Sequence, residues 1–167
     1  VGSEMCIRDS PYLAYALVSE LFASGSKSEL GIHKTAVISA GVKVSKTASI
    51  GANVVLGKNV IIGEKSIIGP NSSIGDGSII GDNCKIFSNV SIYHGVTIGN
   101  SVTIHSCSVI GGDGFGFAHD SRHWVKIHQL GGVIIGNRVE IGSCTTIDRG
   151  ALSCLLYTSP SPRDSDS

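Results

Sequence analysis

Branched aliphatic residues recur at every sixth position through the centre of the chain. The set runs without interruption from residue 32 to residue 110 and consists of Ile32, Ile38, Val44, Ile50, Leu56, Ile62, Ile68, Ile74, Ile80, Ile86, Ile92, Ile98, Ile104 and Ile110. A period of six matches neither an α-helix nor a simply alternating β-strand. It therefore indicates a repeated architectural unit.

The other positions of the six-residue repeat predict a short strand followed by a corner. Small or slim side chains stand two positions before the aliphatics, as at Ala48, Val54 and Ser66, and share their face in an extended segment. Glycine commonly follows the aliphatic, and turn-forming residues come next, as in Gly69-Pro70. Three repeats then form one triangular coil of eighteen residues. The sequence predicts an all-β fold, a parallel β-helix whose aliphatic ladders fill the interior.

Large side chains replace glycine at three late corners, Phe87, Tyr93 and His105. Phe87 and His105 are eighteen residues apart, so they are predicted to stack on one edge. Tyr93 and the adjacent His94 are predicted to lie one coil beneath Gly111. Packing of these outward side chains against a neighbouring subunit is favoured over direct contact with a ligand.

The repeat stops at Gly111, and residues 111–132 are predicted to leave the coil as one long exposed loop. Aliphatics six apart return at Ile135, Ile141 and Ile147. A long insertion in a strict repeat is uncommon unless it is used, and such loops tend to carry function.

Residues 11–31 are predicted to form a short helix, Pro11–Phe22, and a linker into the first coil. A helix here could also cap the open end of the β-helix, as repeat proteins require.

The two ends of the chain are related at the level of DNA. Residues 1–10 can be back-translated with a set of codons whose opposite strand encodes the segment Cys154–Pro162. This DNA resembles a transposase adapter used in library preparation. We therefore expect residues 1–10 and 153–167 to be translated adapter, with 153–167 disordered, and 11–152 to be an internal piece of a longer protein, in which 32–152 form the β-helix. The alternative is an ordinary disordered tail rich in serine and proline.

Composition narrows the choice of function. Thirteen basic and thirteen acidic residues give a net charge of zero, so no basic surface for nucleic acid is expected. No apolar run is long enough to span a bilayer. Five cysteines without CxxC spacing favour a reducing compartment and disfavour a metal site. His119 with His123, or His94 with His105, could ligate a metal at a subunit boundary, but solvated surface histidines are the more common case.

Four segments carry a resemblance to a known family. They are residues 113–118 (Asp-Gly-Phe-Gly-Phe-Ala), 124–127 (Trp-Val-Lys-Ile), 129–131 (Gln-Leu-Gly) and 141–152 (Ile-Gly-Ser-Cys-Thr-Thr-Ile-Asp-Arg-Gly-Ala-Leu). Together with Tyr93-His94 they resemble the UDP-3-O-(3-hydroxyacyl)glucosamine N-acyltransferases of lipid A biosynthesis. The resemblance covers 11–152, and the chain departs from the family pattern at Phe117, His119 and His128.

This resemblance implies a left-handed β-helix of hexapeptide repeats in a cytoplasmic homotrimer that needs no cofactor. The reaction would move a 3-hydroxyacyl chain from acyl carrier protein to the 2-amine of UDP-3-O-acylglucosamine. The family's general-base histidine lies in an Ala-His-Asn context downstream of the segment that ends at Leu152. No such context occurs in this chain, so we assign no catalytic residue here and expect the chain itself to be inactive.

The remaining candidates would bind substrate. Asp113 and Phe115 in the loop, with Tyr93 and His94 beneath it, could line the cleft for acyl donor and sugar between subunits. Asp113 could equally be a turn residue that bonds its own backbone. The neighbouring Asp148 and Arg149 could form an ion pair at a corner.

Two other classes of function stay open on the sequence. One is a different hexapeptide-repeat enzyme, either a sugar or amino-acid acyltransferase or a zinc hydratase resembling carbonic anhydrase. The other is a non-catalytic β-helix that serves as a scaffold.

Overall fold

The computed structural model describes residues 11–22 and 30–158. One helix, α1, spans Pro11–Phe22. The strands are short: β1 Gly31–Ile32, β2 Val37–Ile38, β3 Lys43–Val44, β4 Ser49–Ile50, β5 Val55–Leu56, β6 Ile61–Ile62, β7 Ile67–Ile68, β8 Ser73–Ile74, β9 Ile79–Ile80, β10 Lys85–Ile86, β11 Ser91–Ile92, β12 Val96–Ile98, β13 Thr103–Ile104, β14 Val109–Gly112, β15 Phe117–Asp120, β16 His123–Lys126, β17 Val133–Ile135, β18 Glu140–Ile141, β19 Thr146–Asp148 and β20 Leu155–Tyr157.

Strands one coil apart pair in parallel and build three six-stranded sheets. Sheet A has the order β1-β4-β7-β10-β13-β18, sheet B the order β2-β5-β8-β11-β14-β19, and sheet C the order β3-β6-β9-β12-β17-β20. In sheet A, Ile50 pairs with Ile68, and Ile68 pairs with Ile86. This is the eighteen-residue register that the repeat predicts, and the parallel β-helix is confirmed.

The interior is a stack of aliphatic side chains, with one departure from expectation. From Ile50 onward the every-sixth aliphatics are buried, and Ile68 is only 1% exposed. The prediction of burial is wrong at the start of the coil, where Ile32 is 50% and Ile38 is 38% exposed. These two side chains belong to the first coil, which has no described coil on its outer side.

Buried serines tie successive coils together. Ser66 donates to the carbonyl of Gly81 at 2.7 Å and accepts from the amide of Cys84 at 2.9 Å. Ser72 and Ser78, at the equivalent positions of the next two repeats, each make the same pair of bonds. Each hydroxyl donates to a backbone carbonyl and accepts from a backbone amide of the next coil. Within the described residues, no buried side-chain nitrogen or oxygen lacks a hydrogen-bond partner. The small polar side chains of the interior are therefore compatible with burial.

The excursion between β14 and β17 is exposed, as predicted, but it is not an irregular loop. Strands β15 and β16 pair antiparallel, with Phe117 opposite Lys126, and form a β-hairpin. The coil then resumes where Val133 pairs with Val96. The stack therefore continues across the insertion.

The end of the described chain differs from the expected disorder. Residues Leu155–Tyr157 form β20, which pairs in parallel with β17 through Val133 and Leu155. The outer edge of β17 carries backbone N–H and C=O groups that need hydrogen-bond partners, and β20 supplies these partners. Residues 1–10, 23–29 and 159–167 lie outside the described part, so the expectations for the two ends and the linker are not addressed there.

Candidate functional site

The excursion leaves the coil through a β-bulge at Gly111. The pairing of β14 with β19 shifts between Ile110 and Gly112. Gly111 has a φ of 81°, and a Cβ atom at this position would lie 2.7 Å from Cγ2 of Val96. Both the backbone conformation and the space therefore require glycine.

A buried arginine on the next coil holds this bulge. Arg149 follows β19 and is only 8% exposed. Its Nε donates to the carbonyl of Gly111 at 2.8 Å, its Nη1 lies 2.9 Å from Nε2 of His94, and its Nη2 donates to the carbonyl of His94 at 3.1 Å. We call His94, Gly111 and Arg149 the arginine clamp. It joins three successive coils at the root of the excursion.

The clamp fixes the proton on the imidazole of His94. A guanidinium group donates hydrogen bonds and accepts none, so Nε2 of His94 must be the acceptor in its contact with Arg149. The proton of the neutral ring then lies on Nδ1. His94 can offer a ligand a hydrogen-bond donor at Nδ1, whereas the lone pair of Nε2 is already engaged.

Asp113 connects the root of the excursion to the hairpin. Its Oδ2 lies 3.0 Å from Nζ of Lys126 on β16, and its Oδ1 lies 3.9 Å from Nε of Arg149. The hydrogen bond from Lys126 lowers the pKa of Asp113 below 3.8, helped by the positive charges of Lys126, Arg149 and His128 and opposed by desolvation. The carboxylate is thus ionised and held by two cations.

Tyr93 and His94 border an open groove of about 970 Å³ on the outer face of sheet B. Its floor is the outward column of this sheet, in which Ser73 pairs with Ser91 and Ser91 with Val109. Side chains in this column are small or slim. An extended apolar or mixed ligand could therefore lie along the coils with its end at the clamp.

Phe115 lies on a different surface. Its side chain is 95% exposed, and its ring is tilted against Phe117 at a centroid distance of 5.0 Å. With Trp124 and Ile127 these rings line an apolar depression of about 620 Å³ on the hairpin. We call this the hairpin depression.

The structure therefore brings three of the four candidate residues together. Tyr93 and His94 border the groove, and Asp113 reaches His94 through Arg149. Phe115 has no described contact with this group and faces the hairpin depression instead.

Arg149 is the residue that sequence reasoning missed. The interpretation of Arg149 as the partner of Asp148 at a corner is wrong, because its described contacts are with His94, Gly111 and Asp113. A signal was available: Ile147 pairs with Ile110, which places residue 149 beside the root of the excursion. The eighteen-residue count does not extend across the excursion, so the sequence alone does not give this register.

Two other histidines, His105 and His119, have partners outside this group. His105 stacks on Phe87 at 4.8 Å, as predicted, and its Nε2 lies 2.9 Å from Oε1 of Glu140. His119 packs edge-on against Trp124 at 4.8 Å. In the described ranges 11–22 and 30–158, no group of three or more His, Cys, Asp or Glu side chains is placed to hold a metal ion. None of the helical residues described forms a segment long and apolar enough to cross a membrane.

Comparison with known proteins shows which proteins the chain resembles. Residues 47–80 and 77–112 match the model of the bacterial transferase hexapeptide (six repeats). The chain is 57% identical over 151 residues to UDP-3-O-acylglucosamine N-acyltransferase of Saccharophagus degradans, covering 90% of this chain and 44% of that protein. It is 49% identical over 144 residues to the protein of the same name from Pseudomonas paraeruginosa, covering 86% of this chain and 41% of that protein.

Among solved structures, a mutant of perosamine N-acetyltransferase from Caulobacter crescentus, in complex with CoA and GDP-perosamine, superposes with a TM-score of 0.58. The identity is 18%, over 89% of this chain and 61% of that one, so this likeness concerns the fold alone. The chain spans about two fifths of the length of the curated relatives it matches. The repeat, the excursion and the extent of sequence identity agree: the chain has the left-handed parallel β-helix of hexapeptide repeats, and over most of its length it is similar to UDP-3-O-acylglucosamine N-acyltransferases.

Proposed function

We propose that the protein of which this chain forms a part transfers a 3-hydroxyacyl group from acyl carrier protein to the 2-amine of UDP-3-O-acylglucosamine. The observation that carries this proposal is the sequence identity of 49–57% to proteins of that name, which extends over most of the chain. Because the chain spans about two fifths of those proteins, the substrates, partners and activity are proposed for the whole protein.

The chemistry sets out which parts must come from elsewhere. The amine of the sugar must lose a proton as it attacks the thioester carbonyl, so a general base is needed beside it. The developing oxyanion needs a hydrogen-bond donor. His94 does not supply the base in this arrangement, since its Nε2 accepts from Arg149. The Ala-His-Asn context of the family's general base does not occur in this chain, so we assign no catalytic residue within it.

For the described residues we propose a binding role. Tyr93 and the Nδ1–H of His94 would contact a substrate that lies in the groove along sheet B, and the clamp would hold the excursion beside it. Asp113 would fix the hairpin through Lys126. Phe115, 95% exposed on the hairpin, would contact the donor or an adjacent subunit.

A homotrimer is part of the same proposal, but the side chains of Phe87 and His105 do not support it. The sequence predicts a subunit contact for the outward side chains of Phe87 and His105. In the structure these two rings stack on each other, and Lys85 lies over the ring of Phe87 at 4.8 Å. Tyr93 remains 46% exposed and keeps that interpretation. Light scattering on the whole protein would give its subunit number, and cell fractionation would test the cytoplasmic location that we propose for it.

The decisive experiment measures acyl transfer from carrier protein to UDP-3-O-acylglucosamine. We expect the whole protein to be active and this chain alone to be silent, because the chain contains no base in the required context. Activity in the isolated chain would show that a base lies within it, with His94 and His119 the first to replace. Inactivity of the whole protein with this substrate pair would overturn the assignment.

A further inference from the structure

One corner of the coil carries a column of residues in the left-handed conformation. Each stands three positions after an inward aliphatic of sheet A, and the set consists of Asn53, Asn71, Asn89, Cys107 and Cys144, with φ between 56° and 64°. We call this set the corner column. Asparagine is common in this conformation because its side chain can bond locally, whereas cysteine has no such advantage.

The two cysteines are neighbours in this column although the excursion separates them in sequence. Ile104 pairs with Ile141, and each cysteine follows its isoleucine by three residues. The amide of Cys144 donates to the carbonyl of Ser106 at 3.0 Å, which repeats the bond from Asn71 to Ala52 at 2.9 Å in the lower coils. Cys144 therefore stands one coil above Cys107.

Side chains at adjacent positions of the corner column can touch. Lower in the stack, Nδ2 of Asn53 lies 3.2 Å from Oδ1 of Asn71. Cys107 and Cys144 are both free and exposed. Cys84 differs from these two cysteines because it is buried in the core. Its Sγ lies 3.0 Å from the carbonyl oxygen of Gly99, and burial raises the pKa of its thiol.

We propose that Cys107 and Cys144 form a reversible disulfide that links two coils across the base of the excursion. One coil rise places their Cα atoms about 4.8 Å apart, inside the range of about 4.4–6.8 Å that disulfides use. In-register side chains point the same way, so the two Cβ atoms must approach by about 1 Å to reach the usual separation of about 3.8 Å. This adjustment and the exposure of the pair make the bond easily reduced.

The oxidant in this proposal is a low-molecular-weight disulfide such as oxidised glutathione. One cysteine thiolate attacks a sulfur of the small disulfide and releases one small thiol, which leaves a mixed disulfide. The second cysteine thiolate then attacks the protein sulfur of the mixed disulfide and releases the other small thiol. The two protein thiols lose two protons and two electrons, and the small disulfide is reduced to two thiols.

The link would act on the site described above without touching it. Arg149 lies five residues after Cys144, and the root of the excursion at Gly111 lies four residues after Cys107. The bond would hold together two of the three coils that the clamp joins. This inference does not depend on the proposed acyl transfer.

The test uses the full chain with Cys6→Ser and Cys154→Ser, so that three thiols remain. The chain is incubated with oxidised glutathione, alkylated, digested with trypsin and analysed by mass spectrometry. We expect peptide 86–122 linked to peptide 139–149, in a product that migrates as a monomer on a non-reducing gel. Dithiothreitol should separate the peptides.

A matched variant tests the register. Adding Cys107→Ser and Asn89→Cys moves one thiol to the next lower position of the corner column, two coils from Cys144. This variant should give mixed disulfides with glutathione and no linked peptide. Equal linking in both proteins would mean that the thiols meet by large motions and would overturn the proposal, as would separate mixed disulfides on Cys107 and Cys144 in the parent.

Discussion

Replacing Arg149 by methionine tests whether the clamp holds the excursion to the coil. Methionine keeps much of the length and packing of the side chain but removes three hydrogen bonds, two of which end on backbone carbonyls of His94 and Gly111. A hydrogen bond from a charged donor contributes about 1.5–3 kcal/mol to the free energy of unfolding when its loss leaves the acceptor without a partner and shielded from water. His94 is exposed, so water can reach part of the site and recover some of this loss.

The expected net cost is therefore about 2–3 kcal/mol, below the simple sum of three charged bonds. Because stacked repeats contact only their neighbours, this loss should appear as local opening of β14 and β19 before global unfolding. Native-state hydrogen exchange can measure it at the amide of residue 149, which donates to the carbonyl of Gly112 at 2.8 Å. The opening should become roughly 30- to 150-fold more frequent, since each 1.4 kcal/mol is about a factor of ten.

Arg122→Met is the matched control, because Arg122 is exposed in the turn of the hairpin. It should change exchange at residue 149 by less than a factor of about three, in keeping with an effect within about 0.5 kcal/mol for an exposed site. Amides of the lower coils, such as that of Ile67, serve as an internal reference in both variants. If Arg149→Met left exchange at residue 149 unchanged, the three bonds would carry no net stability and the clamp would not hold the excursion.

Four further outcomes are expected. Ile68→Asp should destabilise the chain by several kcal/mol in urea unfolding, because it places an unpaired charge among buried aliphatics; a wild-type midpoint would contradict the register. In the whole protein, Asp113→Ala and Phe115→Ala should lower acyl-transfer rates more than stability, with Asp120→Ala as the control, and unchanged kinetics would leave both residues without a binding role. The pKa of Asp113 is lowered in the folded state, so its stabilising contact with Lys126 is complete above pH 3.8 and is lost as the pH falls through the lower folded value; proteolysis of the hairpin should rise only on that acid side. Cys84 should react with iodoacetamide far more slowly than the exposed cysteines, because burial raises the pKa of its thiol.

Much of the architecture could be predicted because a single repeat encodes both the strand and its partner. Once Ile50 and Ile68 are assigned to one ladder, every strand of the sheet before the excursion has its register. Exposure of Ile32 could not be inferred from the period, since it depends on where the stack ends. The same periodic reasoning had no basis inside the excursion, where the hairpin side chains of Phe117 and Trp124 are all exposed and no inward face exists.

The candidate site was only partly accessible from sequence, for a related reason. Tyr93 and His94 could be placed under Gly111 by counting eighteen residues, and the structure places them there. Arg149 lies 38 residues beyond Gly111, and its contact depends on how the excursion returns to the coil. Separation of Phe115 from the other candidates likewise depends on the direction in which the hairpin projects.

Resumption of the coil after the hairpin, with Val133 on Val96, has a consequence for how such proteins can vary. Each coil makes its contacts only with the coils directly above and below, so a corner can lengthen without any change in the strands that follow. Evolution can therefore try new recognition segments at one corner at a time while the supporting stack is inherited unchanged, and related chains with quite different specificities can share the same rows of isoleucine.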